Sequence, residues 1–240
     1  MHIISIVAQK GGVGKSTLTI HWAVAAQETM GLRVAIVDLD VQGSVVDWYE
    51  DRKAEDLAVF SVRSEDFRDG DELNVKDIRQ KLRQAVAYLD KEGYDLVFID
   101  SPAKIGGLTE VAVSEANFAV VPVGPTRLDL KGVAATVNIL HKSQVSGFMV
   151  VNKGRHSSTI NAVAMQLLAK GFAIPVCPIV VMNRAILADA FNDGRTVLEV
   201  EPGGKAAHEI VESWKWIAEN AHIQSRSRGG LRSNGKSSLA

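Results

Sequence analysis

The stretch Gln9-Lys10-Gly11-Gly12-Val13-Gly14-Lys15-Ser16-Thr17 brings together two ammonium groups, three glycines and two hydroxyls. That combination grips phosphate. Gly11, Gly12 and Gly14 let the backbone curl so that successive N–H groups point inward at phosphate oxygens, and a helix starting there adds the positive end of its dipole. Lys15 is placed to neutralise the β- and γ-phosphates of ATP and Ser16 to ligate Mg2+, with Val13 and Thr17 completing the wall of the loop. The stretch follows the apolar run 3–8 and precedes an amphipathic segment, the context a phosphate loop requires. The ordinary pattern has glycine five places before Gly14, where this chain has Gln9. It fits the lysine-rich variant Lys-Gly-Gly-x-Gly-Lys-Ser/Thr instead.

Two further stretches supply carboxylates. Val37-Asp38-Leu39-Asp40-Val41-Gln42-Gly43 ends one apolar run with two acids. A carboxylate there can order an attacking water or hold magnesium, although an Asp-x-Asp pair at a strand end also serves as a helix cap or turn. The run 94–102 ends in Asp100-Ser101-Pro102. A lone acid closing an apolar strand is the Walker B arrangement, binding magnesium through its water shell. Residues 103–107 are a candidate second switch.

The elements that must hold these loops read as alternating strands and helices. Candidate strands are 3–8, 33–38, 58–62, 95–100, 118–123 and 148–152, and candidate helices are 16–29, 75–91, 128–142 and 158–170. A further strand at 175–181 and helices at 184–192 and 204–221 complete the pattern. Strands that are apolar throughout are covered on both faces, which predicts an α/β fold with a doubly wound, mainly parallel sheet. Ligands in such sheets sit at the carboxyl ends of the strands.

The loop resembles the deviant Walker A motif of the ParA/MinD group of P-loop ATPases, and the likeness runs from residue 1 to about 220, through the late stretch Gly194-Arg195-Thr196-Val197-Leu198-Glu199. The resemblance implies that Lys10 reaches across a homodimer interface to the partner's nucleotide. It assigns water activation to Asp40, by similarity to an Asp-x-Asp-Pro-Gln-Gly switch in which Val41 replaces the proline, and leaves Asp38 as a structural or metal-shell carboxylate. Ser101 stands where the group usually has threonine. The likeness also implies that the Asn152 amide meets the adenine edge, with Pro178 lining the base pocket. With no helix-turn-helix segment ahead of the loop, the chain is similar to the small partition ATPases. These coat the nucleoid non-specifically and are stimulated by a centromere-binding, ParB-like partner. Arg184, Arg195, Lys205 and Lys215 are the candidate DNA contacts, because sequence-independent binding needs only cations on one face.

Composition narrows the rivals. The 240 residues carry 27 Lys+Arg against 28 Asp+Glu, but the charge is uneven. Residues 1–125 hold 13 basic against 20 acidic side chains, 126–222 hold 10 against 8, and 223–240 hold 4 against none. A basic C-terminal portion suits a polyanion. Cys177 is the single cysteine, so an iron–sulfur reductase with paired cysteines is excluded, and the expected setting is a reducing cytoplasm. No run approaches the roughly 18 apolar residues of a membrane span. An ATPase domain over 1–222 and a basic, disordered tail over 223–240 are expected. The tail carries Arg226, Arg228, Arg232 and Lys236 but too few apolar residues for a lipid-inserting helix. This counts against a MinD-like membrane role, while a ParA-like ATPase positioning a non-DNA cargo stays open.

Overall fold

The computed structural model describes residues 1–54, 57–62, 75–103, 107–156 and 158–226. Six strands run in parallel: β1 (His2–Ile6), β2 (Val34–Asp38), β3 (Ala58–Ser61), β4 (Leu96–Asp100), β5 (Phe118–Val123) and β6 (Ser146–Val151), in the order β3-β2-β4-β1-β5-β6. The strands connect through α1 (Lys15–Met30), α2 (Ser44–Asp51), α3 (Val75–Lys91), α4 (Leu108–Ser114), α5 (Arg127–Lys131) and α6 (Val133–Ser143). After β6 come α7 (Ser158–Gly171), α8 (Ala185–Asn192), α9 (Val197–Val200) and α10 (Lys205–Asn220).

Side chains alternate across each strand, so the apolar runs feed two cores. Ile4, Ile6, Ile36, Phe98 and Val150 face one core with α1 and α10, where Trp22 and Trp214 are buried. Ala35, Val37, Val97, Ile99 and Val151 face the other, with Leu82 of α3, Val111 of α4 and Leu140 of α6. Trp22 Nε1–H donates to Ser213 Oγ at 3.0 Å, and Phe98 meets Trp214 edge-on at 5.6 Å between centroids. Cys177 is buried, and burial pushes its thiol up to about 11.

Three expectations change. Residues 175–181 lie beside β6 but form only single bridges, Met149 with Val176 and Gly154 with Met182, because Pro175 and Pro178 have no N–H to continue a ladder. The helix over 128–142 is divided into α5 and α6 at Gly132. The folded body also passes residue 222. Ile223 is buried, Arg226 N–H donates to Met30 O at 3.0 Å, and its guanidinium lies 3.3 Å from Asp95. Arg226 therefore belongs to the body, while Arg228, Arg232 and Lys236 lie outside the described residues. The short helices α2, α4 and α9 have too few turns to show a period in sequence.

One close approach fixes the late segment. Gly194 has φ +65°, and a Cβ there would stand 2.4 Å from the Asp51 carbonyl carbon, so α2 is pinned to the turn between α8 and α9. Arg52, with its side chain 1% exposed, donates to Gly194 O and to Glu199 at 3.1 Å each, and lies over the Trp48 ring.

Candidate functional site

Parallel pairing sets Ile6, Asp38 and Asp100 side by side at the carboxyl end of the sheet, since Ile6 is in register with Asp100 and Asp100 with Asp38. The loop 7–14 leaves β1 at that edge and returns as α1. Gly14 takes φ +90°, and a Cβ there would meet the Asn152 amide nitrogen at 2.3 Å, so glycine is required on both counts. Gly11, Gly12, Gly14, Lys15, Ser16 and Thr17 wall one side of a cleft of about 450 Å3, facing Asp40, Gln42 and Ser44, with Lys153, Ala188, Phe191 and Asn192 across the mouth.

The electrostatics are those of a site waiting for charge. Lys15 is 7% exposed, and burial lowers its pKa against the pull of Asp100 and Asp40. Asp100 is fully buried, and burial first, then Asp38 beside it, pushes its carboxyl up to about 7 against the hydrogen bond from Ser16 and the charge of Lys15. Ser16 Oγ–H donates to Asp100 Oδ2 at 2.6 Å, and Thr19 Oγ1–H reaches Oδ1 at 3.2 Å. A hydroxyl and a carboxylate are hard oxygen donors, and together they fit magnesium completed by phosphate oxygens and water. Among the described residues no three His, Cys, Asp or Glu form a self-sufficient metal cage. Asp38 Oδ1 accepts the Asp40 N–H at 2.8 Å, and Asp40 Oδ1 accepts the Gln42 N–H at 3.0 Å. Asp38 therefore shapes the turn that presents Asp40 to the cleft.

Several predicted residues fall elsewhere. Asn152 is buried, and its amide donates to Val13 O at 2.7 Å, bracing the loop from behind. Pro178 is exposed and not among the residues that line the cleft. Lys10 is paired within its own chain to Asp129. Burial alone would raise the Asp129 carboxyl, but hydrogen bonds from Lys10 and Thr126 outweigh it and hold it below its ordinary value. Asp129, the third residue of α5, also closes a capping box with Thr126. That Thr-x-x-Asp spacing was readable in the sequence; the contact with Lys10 was not.

The proposed DNA contacts are mostly engaged. Arg184 makes a two-pronged pair with Glu209, at 2.6 and 3.2 Å, and that hydrogen bonding raises its pKa. Arg195 pairs with Asp193 at 2.7 Å and Lys215 with Glu212 at 2.8 Å, both at the surface. Lys205, at the first turn of α10, has no ion-pair partner among the described residues. Among those residues no helix is long and apolar enough to cross a membrane.

Comparison with known proteins fits this geometry. Residues 2–195 match the family described as ATPase MipZ. The chromosome-partitioning ATPase Soj of Thermus thermophilus is 29% identical over 231 residues, covering 85% of this chain and 90% of that protein. The maintenance of carboxysome distribution protein A of Halothiobacillus neapolitanus is 26% identical over 214 residues, covering 87% and 92%. In fold, the MinD cell division protein of Aquifex aeolicus superposes with a TM-score of 0.71 at 19% identity, over 91% of this chain and 97% of that one.

Proposed function

This chain belongs to the MipZ family of ATPases, and from that premise we propose that it is a dimerising, DNA-associated ATPase that partitions plasmids or chromosomes. What supports the nucleotide chemistry is one juxtaposition, the buried Lys15 beside Ser16, Asp100 and Asp40 at a single cleft. Lys15 and the loop N–H groups bind the β- and γ-phosphates of ATP. Ser16 and Asp100 would hold Mg2+, which would supply charge neutralisation at the γ-phosphate. Asp40 orients the attacking water, and Asp38 holds Asp40 in place. When two chains close over their nucleotides, Lys10 leaves Asp129 and turns to the partner's ATP. Closure raises affinity for DNA, and hydrolysis, accelerated by a ParB-like centromere-binding partner, releases it.

Non-specific DNA contact in this reading comes from Lys205, Arg195 and Lys215, doubled by dimerisation. Arg184, tied to Glu209, positions the start of α8 instead. The protein is then cytoplasmic and nucleoid-associated while ATP is bound. The likeness to a carboxysome distribution protein supports a second reading, in which the same cycle positions a protein assembly. Fluorescence anisotropy of a random-sequence duplex with ATP, ADP or no nucleotide tests the DNA step. Tight binding with ATP alone is expected, and equal affinity in all three states would remove the switch.

A further inference from the structure

The face built by α5 and α7 combines two features that surface helices rarely share. Of the six large apolar side chains exposed among the described residues, four lie on these two helices: Leu128 at 71%, Ile160 at 37%, Val163 at 48% and Leu167 at 50%. The last three recur at helical spacing, so they form one exposed stripe along α7, flanking the inward-facing row of Asn161, Ala164 and Leu168 at about 100° around the helix. Lys170 continues the same row. Scattered exposed apolar residues need no explanation, but an aligned stripe on an outward helix face marks a contact surface.

The charge around the stripe says what kind of contact. Residues 130–188 contain no Asp or Glu at all. Arg155 stands before α7, Lys170 at its end, and Arg127 and Lys131 on α5, which packs against α7; none of the four has an ion-pair partner among the described residues. The one acid on α5, Asp129, is taken by Lys10. We propose that the α5–α7 face, with Val163 and Leu167 at its centre, docks an acidic amphipathic helix of a partner protein. Apolar anchors at i, i+3 and i+7 of that helix lie on the stripe, and its carboxylates meet Arg155, Lys170, Arg127 and Lys131. DNA would use the cations but has no use for the stripe. Nothing on this face depends on DNA being the cargo. The bound helix would lie close to two groups of the nucleotide site, Asp129 with its hold on Lys10 and Lys153 at the mouth of the cleft.

The test is selection of a displayed library of random 16-residue peptides on the full chain with ATP, with counter-selection on Val163→Glu/Leu167→Glu, a variant whose changes are exposed and outside the nucleotide cleft. The surviving sequences should carry Leu, Ile, Val or Phe at i, i+3 and i+7 with Asp and Glu between them. Synthetic copies should bind the unmodified chain about tenfold or more tighter than the variant, and more weakly as salt is raised. Survivors that are cationic or lack the apolar spacing, or no survivors, would overturn the proposal. Random-sequence duplex and anionic phosphatidylserine vesicles should bind both chains equally. Loss of either on the variant would give the face to nucleic acid or lipid instead. Basal ATP hydrolysis, measured on both chains, should be equal; absence of hydrolysis in both would count against the ATPase reading and leave the docking result to stand by itself.

Discussion

Lys15 and Arg184 are both cations that the sequence singles out, and the fold treats them in opposite ways. Lys15 is almost wholly buried, with its charge opposed only by Asp100 and Asp40 at an open cleft. Arg184 keeps more exposure, yet two oxygens of Glu209 already satisfy its guanidinium. A buried charge without a dedicated partner is costly, and a fold keeps one where a ligand will neutralise it. A two-pronged surface pair is architecture, here joining the start of α8 to α10.

The largest effect that separates the two regions is expected at the loop. Lys15→Ala should weaken ATP binding by about 3 kcal/mol, near the upper end for a charge-assisted contact, as read by titration with a fluorescent ATP analogue. Unchanged affinity would erase the distinction. The same region should also carry a pH signature. Folding raises Asp100 from 3.8 to about 7, so across that window the folded chain holds a proton the unfolded chain has released and Asp100 makes nucleotide-free stability fall as pH rises, while burial holds His21 at about 4 and acts in the opposite sense up to its ordinary value. Urea midpoints between pH 5 and 7 should therefore climb more steeply with pH in Asp100→Asn than in the unmodified chain, because the variant keeps only the His21 contribution. A slope unchanged in the variant would place the titrating group elsewhere.

Smaller effects are expected in the late segment, and they should appear in stability, not nucleotide affinity. Gly194→Ala sets a Cβ against the end of α2 and should cost about 2 kcal/mol in denaturant unfolding. Arg184→Ala and Glu209→Ala should couple in a double-mutant cycle by about 1 kcal/mol. The exposed Lys215→Ala should stay within about 0.5 kcal/mol. A strong loss of DNA binding in Arg184→Ala at unchanged stability would reverse the roles given to these two cations.

What the sequence made legible follows the same division. The phosphate loop, Asp40 and Asp100 lie within short segments whose residue types are dictated by local chemistry, and the parallel sheet follows from apolar runs separated by helical periods. Residue pairs distant in the chain were not legible. Asp129 lies 119 residues from Lys10, and Glu209 lies 25 from Arg184, so neither pairing has a local signature. Asn152 was visible as a polar residue closing a strand, but its amide points to Val13 because the loop brings that carbonyl within 2.7 Å. The stripe on α7 was hidden for another reason: apolar residues occur on both its inner and outer faces, and only burial tells them apart.

Asp40→Ala tests the central claim, that two chains close over ATP and that Asp40 then drives hydrolysis, because it removes the carboxylate proposed to orient water while leaving Lys15 and the loop glycines in place. Light scattering with ATP or ADP, run beside a phosphate-release assay, reads closure and chemistry separately. The expected result is a stable dimer with ATP, a monomer with ADP, and turnover reduced by about a hundredfold or more. A variant that hydrolyses ATP at the normal rate, or that stays monomeric with ATP bound, would contradict the account.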